Sequence, residues 1–282
     1  MQGKLALAAE FAGSYPEQAA RVLEELLPGD ASTFIDNVVD KQSASLLASM
    51  LPYNAGKCIA ALSADSAARY AGNIDPKIAA SILRHVPASK VDEIVKLLPR
   101  RRAVQISILL SYPQSMVGAW LEPNVLTLHQ DCTVAEARKR LLNEDYADFH
   151  RIYVEDSKRN LKGFVRLVRL ISDDPDRALG NMLEPCMGTL RANTSLVSAL
   201  SDQAWKNSDY LPVVDREQKF LGVIRFTVLR SAASGQKATT VNHSASGTFL
   251  DLAEACYLGL ADVMSASLSA ENNKQAMETQ DV

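Results

Sequence analysis

Residues 20–113 are divided at intervals of about 12 residues by turns, most of which contain proline. The turns fall at Pro28, Asp40, Pro52, Ser63, Pro76, Pro87, Pro99 and Pro113. Between them lie runs such as AASILRHV and VDEIVKLL, whose apolar residues recur at helical spacing. Proline lacks an amide hydrogen and disfavours a helical residue before it, so we expect it to stop each helix. Because helices of about two turns cannot bury an apolar face alone, the pattern predicts a stacked α-superhelix.

A second repeat, about 60 residues long, follows these helices. WLEPNVLTL at residues 120–128 matches MLEPCMGTL at residues 182–190. HRIYVEDSKRNLKGFVRLVRLI matches DYLPVVDREQKFLGVIRFTVLR, which places Gly163 over Gly222 and Arg166 over Arg225. Each unit has the pattern of a short strand, a capped helix, two strands joined by a charged turn, and a helix. Thr133 and Glu136 form a capping box at the first of these helices.

The composition excludes several classes of protein. Thirty basic and 33 acidic side chains leave a formal charge of −3, so no overall positive field favours nucleic acid. The longest apolar stretches, such as VQISILLSYP at residues 104–113, are far shorter than the roughly 20 residues that span a bilayer. The four cysteines are far apart and form no CxxC pair, which favours free thiols in a reducing cytoplasm. The sequence therefore predicts a cytoplasmic protein without a transmembrane segment or a nucleic-acid partner.

The two βαββα units resemble the tandem CBS module, and the helices before them resemble the N-terminal superhelical domain of the MgtE family of magnesium transporters. The resemblance covers roughly residues 15–232 and is most specific in the LLP turns, YVEDSKRNLKGFVRLVRLISDDP and LPVVDREQKFLGVIRF. It implies an α+β fold in three parts. These are an all-α superhelical domain at residues 1–115, a CBS pair at 116–235 (units at about 116–178 and 179–235), and a linker, amphipathic helix and polar tail at 236–282.

Residues from Thr248 to about Leu268 have the spacing of one amphipathic helix. Asp251, Glu254 and Asp262 make this helix unsuited to crossing a bilayer, where a buried carboxylate is expensive. Two interpretations remain open. The helix packs on the CBS pair or on a second subunit, or it lies on a membrane surface, for which its acidic balance is unfavourable.

The residues after the glycine of each third strand are candidate ligand contacts. In CBS modules that bind adenine nucleotides, Ser or Thr follows this glycine by three residues and Asp by six. Here the first places hold Arg166 and Arg225, and the second hold Arg169 and Val228. Because neither a guanidinium nor an isopropyl group accepts a hydrogen bond from ribose, ordinary adenine nucleotide binding is disfavoured. The three arginines can instead bind phosphate, and the alternative is that they form salt bridges or face solvent.

Magnesium is the other ligand that the resemblance to MgtE implies. Mg²⁺ takes oxygen ligands and retains several waters. MgtE proteins carry acids just after the final CBS glycine, but here that run is VIRFTVLRSAASGQKATT, which contains none. The remaining acidic cluster is Asp173, Asp174 and Asp176 in SDDPD, between the CBS units. These aspartates are candidate Mg²⁺ ligands, and the alternative is a solvated turn that caps a helix.

No catalytic motif stands out, since the four histidines are isolated and the chain has no GxSxG, Walker or Gly-rich nucleotide sequence. The leading hypothesis is a regulatory protein, not an enzyme, that resembles an MgtE intracellular region detached from its channel. Binding of Mg²⁺ or a phosphate-containing ligand would change the arrangement of its domains. The resemblance also implies a homodimer through the CBS units. The second hypothesis is a structural adaptor for a partner protein, in which the CBS ligand sites have been lost.

Overall fold

The computed structural model describes residues 2–143 and 151–235. Within these residues the chain divides into two compact units between Arg102 and Ala103. The first unit is helical, and the second contains two three-stranded sheets with their helices. The predicted helix from Thr248 to Leu268 lies outside the described residues.

The helices within residues 16–110 start at a constant interval. From α2 to α9, each begins twelve residues after the one before it, which confirms the predicted period. The helices are α1 (Gln2–Ser14), α2 (Pro16–Glu24), α3 (Pro28–Asp36), α4 (Asp40–Ser49), α5 (Pro52–Ala61), α6 (Ala64–Asn73), α7 (Pro76–Leu83), α8 (Ala88–Leu97) and α9 (Arg100–Leu110).

Proline occupies the first position of α2, α3, α5 and α7. That position suits proline because the first amide of a helix has no intrahelical acceptor and the fixed φ is already helical. The expectation that proline stops each helix is therefore corrected, since here proline begins the next one. Helix α6 starts without proline, and the Ser63 hydroxyl caps it by accepting a hydrogen bond from the Ser66 amide at 3.1 Å.

Alternate helices of the first unit pack on one another. Helices α2, α4, α6 and α8 contact in succession, as do α3, α5 and α7, so the short helices form two stacked layers. Tyr70 is fully buried, and its hydroxyl donates to Asp36 Oδ1 at 2.7 Å, which joins α6 to α3. This hydrogen bond offsets the cost of burying the hydroxyl.

The second unit contains the same succession of elements twice. In each repeat the first strand pairs with the second in parallel, and the second pairs with the third antiparallel. The first repeat comprises β1 (Thr127–His129), α10 (Val134–Asn143), β2 (Arg151–Glu155), β3 (Leu161–Arg166) and α11 (Leu167–Ser172). The second comprises β4 (Leu190–Arg191), α12 (Leu196–Leu200), β5 (Tyr210–Val214), β6 (Phe220–Arg225) and α13 (Phe226–Ala233), with short 3₁₀ helices at Val117–Ala119, Leu179–Met182 and Gln203–Lys206. The predicted βαββα order is confirmed in both.

The predicted capping box at the start of α10 is also confirmed. The Thr133 amide donates to Glu136 Oε2 at 2.9 Å, and the Glu136 amide donates to Thr133 Oγ1 at 3.3 Å. Two amides at the start of the helix are thus satisfied reciprocally.

Each face of the first sheet packs in a different core. Ile152, Val154 and Val165 belong to a cluster that includes residues of α10 and α11. Tyr153 and Phe164, on the opposite face, pack with residues of the second repeat, and the Tyr153 ring stacks on Phe220 with 4.9 Å between centroids. Because side chains alternate between the two faces of a strand, one face of this sheet packs on its own helices and the other forms the apolar layer between the repeats.

Candidate ligand-binding site between the two repeats

Each third strand meets the Leu-Glu-Pro segment of the other repeat. The amide of Phe164 donates to the Glu184 carbonyl at 3.0 Å, and the Glu184 amide returns a bond at 2.8 Å. Val223 and Glu122 exchange the equivalent pair. A Cβ atom on Gly163 would lie 2.5 Å from the Glu184 carbonyl oxygen, and one on Gly222 would lie 2.3 Å from that of Glu122. Only glycine permits this approach, which explains why both repeats have it there.

Strand register places three arginines and a tyrosine at one edge of the layer between the repeats. Arg151 lies opposite Arg166 in the first sheet, and Tyr210 lies opposite Arg225 in the second. Arg151 and Arg166 are each two residues from Tyr153 and Phe164, so their side chains leave the sheet on that same face. The edge of the inter-repeat layer is therefore rich in positive charge.

A small pocket with a cavity volume of about 30 Å³, partly open to solvent, lies at this edge. Both repeats contribute to its lining: Arg151, Phe164, Cys186, Met187, Asn207, Ser208, Tyr210, Leu211 and Pro212. The Arg151 guanidinium stacks over the Phe164 ring at 4.4 Å and donates a long hydrogen bond of 3.4 Å to Ser208 Oγ. Among the described residues Arg151 has no carboxylate partner. The pocket thus combines a cation that has no carboxylate partner in residues 2–143 and 151–235 with aromatic, amide and hydroxyl groups.

Uncharged groups surround the inner side of the pocket. Burial raises the pKa of the Cys186 thiol to about 11, against the opposing effect of Arg151. Burial also raises the pKa of Tyr153 to about 12, again opposed by Arg151. The Tyr153 hydroxyl is fully buried and has no hydrogen-bond partner among the residues that the structure describes. Both groups are neutral at physiological pH, so neither of them compensates the charge of Arg151.

The predicted phosphate ligands have different surroundings. Arg166 donates from Nε and Nη2 to Glu184 Oε2, at 2.9 and 2.7 Å. Arg169 lies on α11, where it pairs with Asp173 at 3.5 Å. Arg225 stacks over the Tyr210 ring at 5.2 Å. The structure thus places Arg166 and Arg225 at the edge that contains the pocket, and it gives Arg169 a partner on its own helix.

Two of the three predicted magnesium ligands, Asp173 and Asp174, bind protein groups through their carboxylates. Asp173 accepts a hydrogen bond from Arg177 at 2.9 Å, and the Arg177 guanidinium holds the pKa of this carboxyl below its usual range. Asp174 Oδ1 accepts a hydrogen bond from the Asp176 amide at 3.0 Å, which closes a turn. Within residues 2–143 and 151–235, no three His, Cys, Asp or Glu side chains are grouped to hold a metal ion. This geometry agrees with the alternative of a turn, and the magnesium assignment stays a prediction.

Arg151, Asn207, Ser208 and Tyr210 are the site residues that sequence reasoning missed. The repeat alignment pairs Arg151 with Tyr210 at the first residue of each second strand. Cross-strand neighbours on one face of a sheet lie about 5 Å apart. The residues paired with Arg166 and Arg225, which are Arg151 and Tyr210, could therefore have been found as site residues from the predicted pairing of the strands.

Comparison with known proteins agrees with this architecture. Residues 14–115 match the family described as MgtE intracellular N domain, and residues 117–174 match the CBS domain family. The chain carries an MgtE N domain followed by a CBS domain. It is homologous to the magnesium transporter MgtE of Thermus thermophilus, to which it is 24% identical over 243 residues. That match covers 79% of this chain and 54% of the transporter, so the chain spans about half the length of this relative.

Two solved structures share the fold of the MgtE N domain and CBS units. The crystal structure of the soluble part of a magnesium transporter is 18% identical, with a TM-score of 0.55, and covers 84% of this chain and 100% of that chain. The cytosolic domain of the Mg²⁺ channel MgtE in complex with ATP is 23% identical, with a TM-score of 0.50, and covers 76% and 93%. The predicted fold class, helices followed by CBS strands and helices, is confirmed. Nowhere in the described part of the chain is a helix both long and apolar enough to cross a membrane.

Proposed function

We propose that this chain is a cytoplasmic, non-catalytic regulatory module of magnesium transport, whose CBS pair binds a phosphate-containing ligand at the edge between its repeats. The observation that carries this proposal is Arg151, which lines a pocket shared by both repeats and has no carboxylate partner among the described residues. The related MgtE cytosolic domain was solved with ATP, so ATP is one ligand to test, but Arg169 and Val228 replace the aspartates that would bind its ribose.

The cross-strand pair of Arg151 and Arg166 supports an anionic ligand. Like charges directly opposite each other destabilise a pair of strands, and an anion between them relieves the repulsion. Phosphate fits because its oxygens accept two parallel hydrogen bonds from one guanidinium. Because the cavity beside Arg151 is small, the rest of such a ligand would lie along the exposed edge.

Regulation would follow from a difference in affinity. A ligand that binds one arrangement of the N domain and the CBS pair more tightly than another shifts the population toward the first. Mg²⁺ belongs to this scheme as a direct ligand, through Asp173, Asp174 and Asp176, or as the counterion of a bound polyphosphate. In the second role it needs no protein carboxylates.

A structural adaptor, with its ligand sites lost, is the second candidate. The ion pairs of Arg166 with Glu184 and of Arg169 with Asp173 favour it, because they use protein carboxylates to neutralise two of the predicted ligand arginines. Such a protein would bind a partner or a second copy and ignore phosphate.

Thermal denaturation with ATP, AMP, adenosine, inorganic tripolyphosphate and Mg²⁺ separates the two candidates. A ligand present at 100 times its dissociation constant stabilises the folded state by about 2.7 kcal/mol. We expect tripolyphosphate and ATP to stabilise the protein and adenosine to do little. Arg151→Ala should weaken binding about tenfold or more, the value of one charge-assisted hydrogen bond.

Arg216→Ala is the matched control. Arg216 is exposed in the β5–β6 turn, at the opposite end of β5 from Tyr210, so its removal changes the net charge equally without touching the pocket. Equal binding by the Arg151 and Arg216 variants would exclude the pocket as the site. No stabilisation by any phosphate would favour the adaptor.

A further inference from the structure

Glu184 holds a counterion position at the edge where the proposed ligand binds. Its Oε2 atom accepts both the Nε and Nη2 hydrogen bonds of Arg166, and its side chain is only 30% exposed. Arg166 in turn is the cross-strand neighbour of the pocket residue Arg151. We propose that Glu184 is an internal competitor of the ligand, which occupies Arg166 and so sets the affinity and charge selectivity of the site. This inference rests on the proposed function.

Backbone hydrogen bonds anchor the main chain of Glu184 beside Arg166. Glu184 is bound to Phe164 by hydrogen bonds in both directions, so its main chain cannot move away without breaking the contact between the repeats. The side chain therefore competes from a tethered position, at a high local concentration. An anion that takes the Nε and Nη2 donors of Arg166 must displace this carboxylate.

Displacement selects ligands by charge. A carboxylate and a phosphate use the same guanidinium donors, so a ligand with one negative charge exchanges one anion for another with little gain. A polyphosphate can contact Arg151 and Arg166 together, which adds a second set of charge-assisted hydrogen bonds. Glu184 thus favours polyphosphates over monoanions at this edge.

Calorimetric titration with inorganic tripolyphosphate tests the proposal through Glu184→Gln. This substitution keeps the shape and the backbone bonds but removes the negative charge. We expect the affinity to rise about threefold to tenfold, between the values of an exposed ion pair and of a charge-assisted hydrogen bond. Acetate should bind the wild type poorly and should gain a measurable affinity in Glu184→Gln.

Glu217→Gln is the matched control, since Glu217 is an exposed acid that pairs with Lys219 in the β5–β6 turn. Glu217→Gln removes the same negative charge at the opposite end of β5 from Tyr210, away from the pocket. It should therefore bind tripolyphosphate as the wild type does. The double variant Arg166→Gln with Glu184→Gln should bind no better than Arg166→Gln alone, because the competitor acts only through Arg166.

The outcomes are distinguishable. If no variant binds tripolyphosphate, the proposed function fails and this inference fails with it. If the wild type binds and Glu184→Gln binds equally, only the inference is wrong. A gain that persists without Arg166 would also overturn it, since Glu184 would then act as a distant charge.

Discussion

The two repeats of the second unit share a backbone but differ in the side chains at its edges. Both have the same strand order, the same irregularity after the fourth residue of the second strand, and the same glycine against a carbonyl of the other repeat. In the first repeat, the arginines after the glycine pair with carboxylates. In the second, Arg225 stacks on Tyr210 and Val228 replaces the other arginine. The shared residues build the fold, so the differing ones are where function is to be sought.

The hairpin turns extend this comparison. Asp156 Oδ1 accepts hydrogen bonds from the amides of Lys158 and Asn160, and Asp215 Oδ1 accepts them from the equivalent amides of Glu217 and Lys219. Each turn also contains one non-glycine residue with a φ of 65°. An aspartate that binds the backbone two and four residues later is thus required by the turn in both repeats.

The largest expected effect comes from the glycines that both repeats share. Gly163→Ala and Gly222→Ala each place a Cβ atom against a backbone carbonyl that cannot rotate away. We expect each to lower the free energy of unfolding by about 2 to 4 kcal/mol, with Gly222→Ala at least as severe. Urea denaturation measures this.

Gly29→Ala is the control for the glycine variants, because a Cβ atom on Gly29 meets nothing within 4 Å. It should be neutral or slightly stabilising, as expected for alanine in a helix. If Gly163→Ala or Gly222→Ala lowers the free energy of unfolding by less than about 0.5 kcal/mol, the glycine does not lie as close to the carbonyl of the other repeat as the structure shows.

Much of the fold could be predicted because its determinants are local in the sequence. The twelve-residue period, the capping box at Thr133 and the paired glycines are all visible in the order of residues. The role of proline was misassigned because a proline between two helices is compatible with ending one or starting the next. Only the backbone shows that Pro28 and Pro52 are first helical residues.

The candidate site was less predictable because its contacts join distant segments. Arg166 meets Glu184, which is 18 residues away in the chain, and Arg151 meets Ser208, which is 57 away. Arg166 and Arg225 could be found from the sequence because each lies three residues after a glycine. The pocket residue Arg151 has no such fixed spacing from a motif. The residue spacing within one repeat does not predict an ion pair between two repeats, such as that of Arg166 with Glu184.

The second prediction concerns the helix after each third strand. In the first repeat, Val168 and Ile171 on α11 are 63% and 81% exposed, whereas the equivalent residues of α13 are Thr227 and Arg230. If the chain forms the predicted CBS homodimer, the apolar face is the better candidate for its interface. Ile171→Asp should then weaken the dimer about thirtyfold or more, because a two-fold interface contains each substitution twice.

Gel filtration with light scattering over a range of concentrations measures this effect, with Thr227→Asp as the control on the second repeat. We expect the wild type and the control to have twice the mass of the chain and Ile171→Asp to have the mass of one. A wild-type protein that is monomeric at every concentration would refute the homodimer. A dimer that survives Ile171→Asp would place its interface elsewhere.

The smallest expected effect concerns the acids that follow the first repeat and have no counterpart after Arg225 in FTVLRSAASG. Asp173 is already held by Arg177 and Arg169, so Mg²⁺ must compete with two guanidinium groups for it. We expect calorimetric titration with Mg²⁺ to give weak heats of binding. Replacement of Asp173, Asp174 and Asp176 by Asn should abolish these heats. Arg177→Ala removes one of the two guanidinium partners of Asp173 and should strengthen Mg²⁺ binding by no more than about fivefold, since surface ion pairs contribute little. Equal heats in the wild type and the triple variant would remove these aspartates as ligands and leave the SDDPD segment as a turn stabilised by arginine.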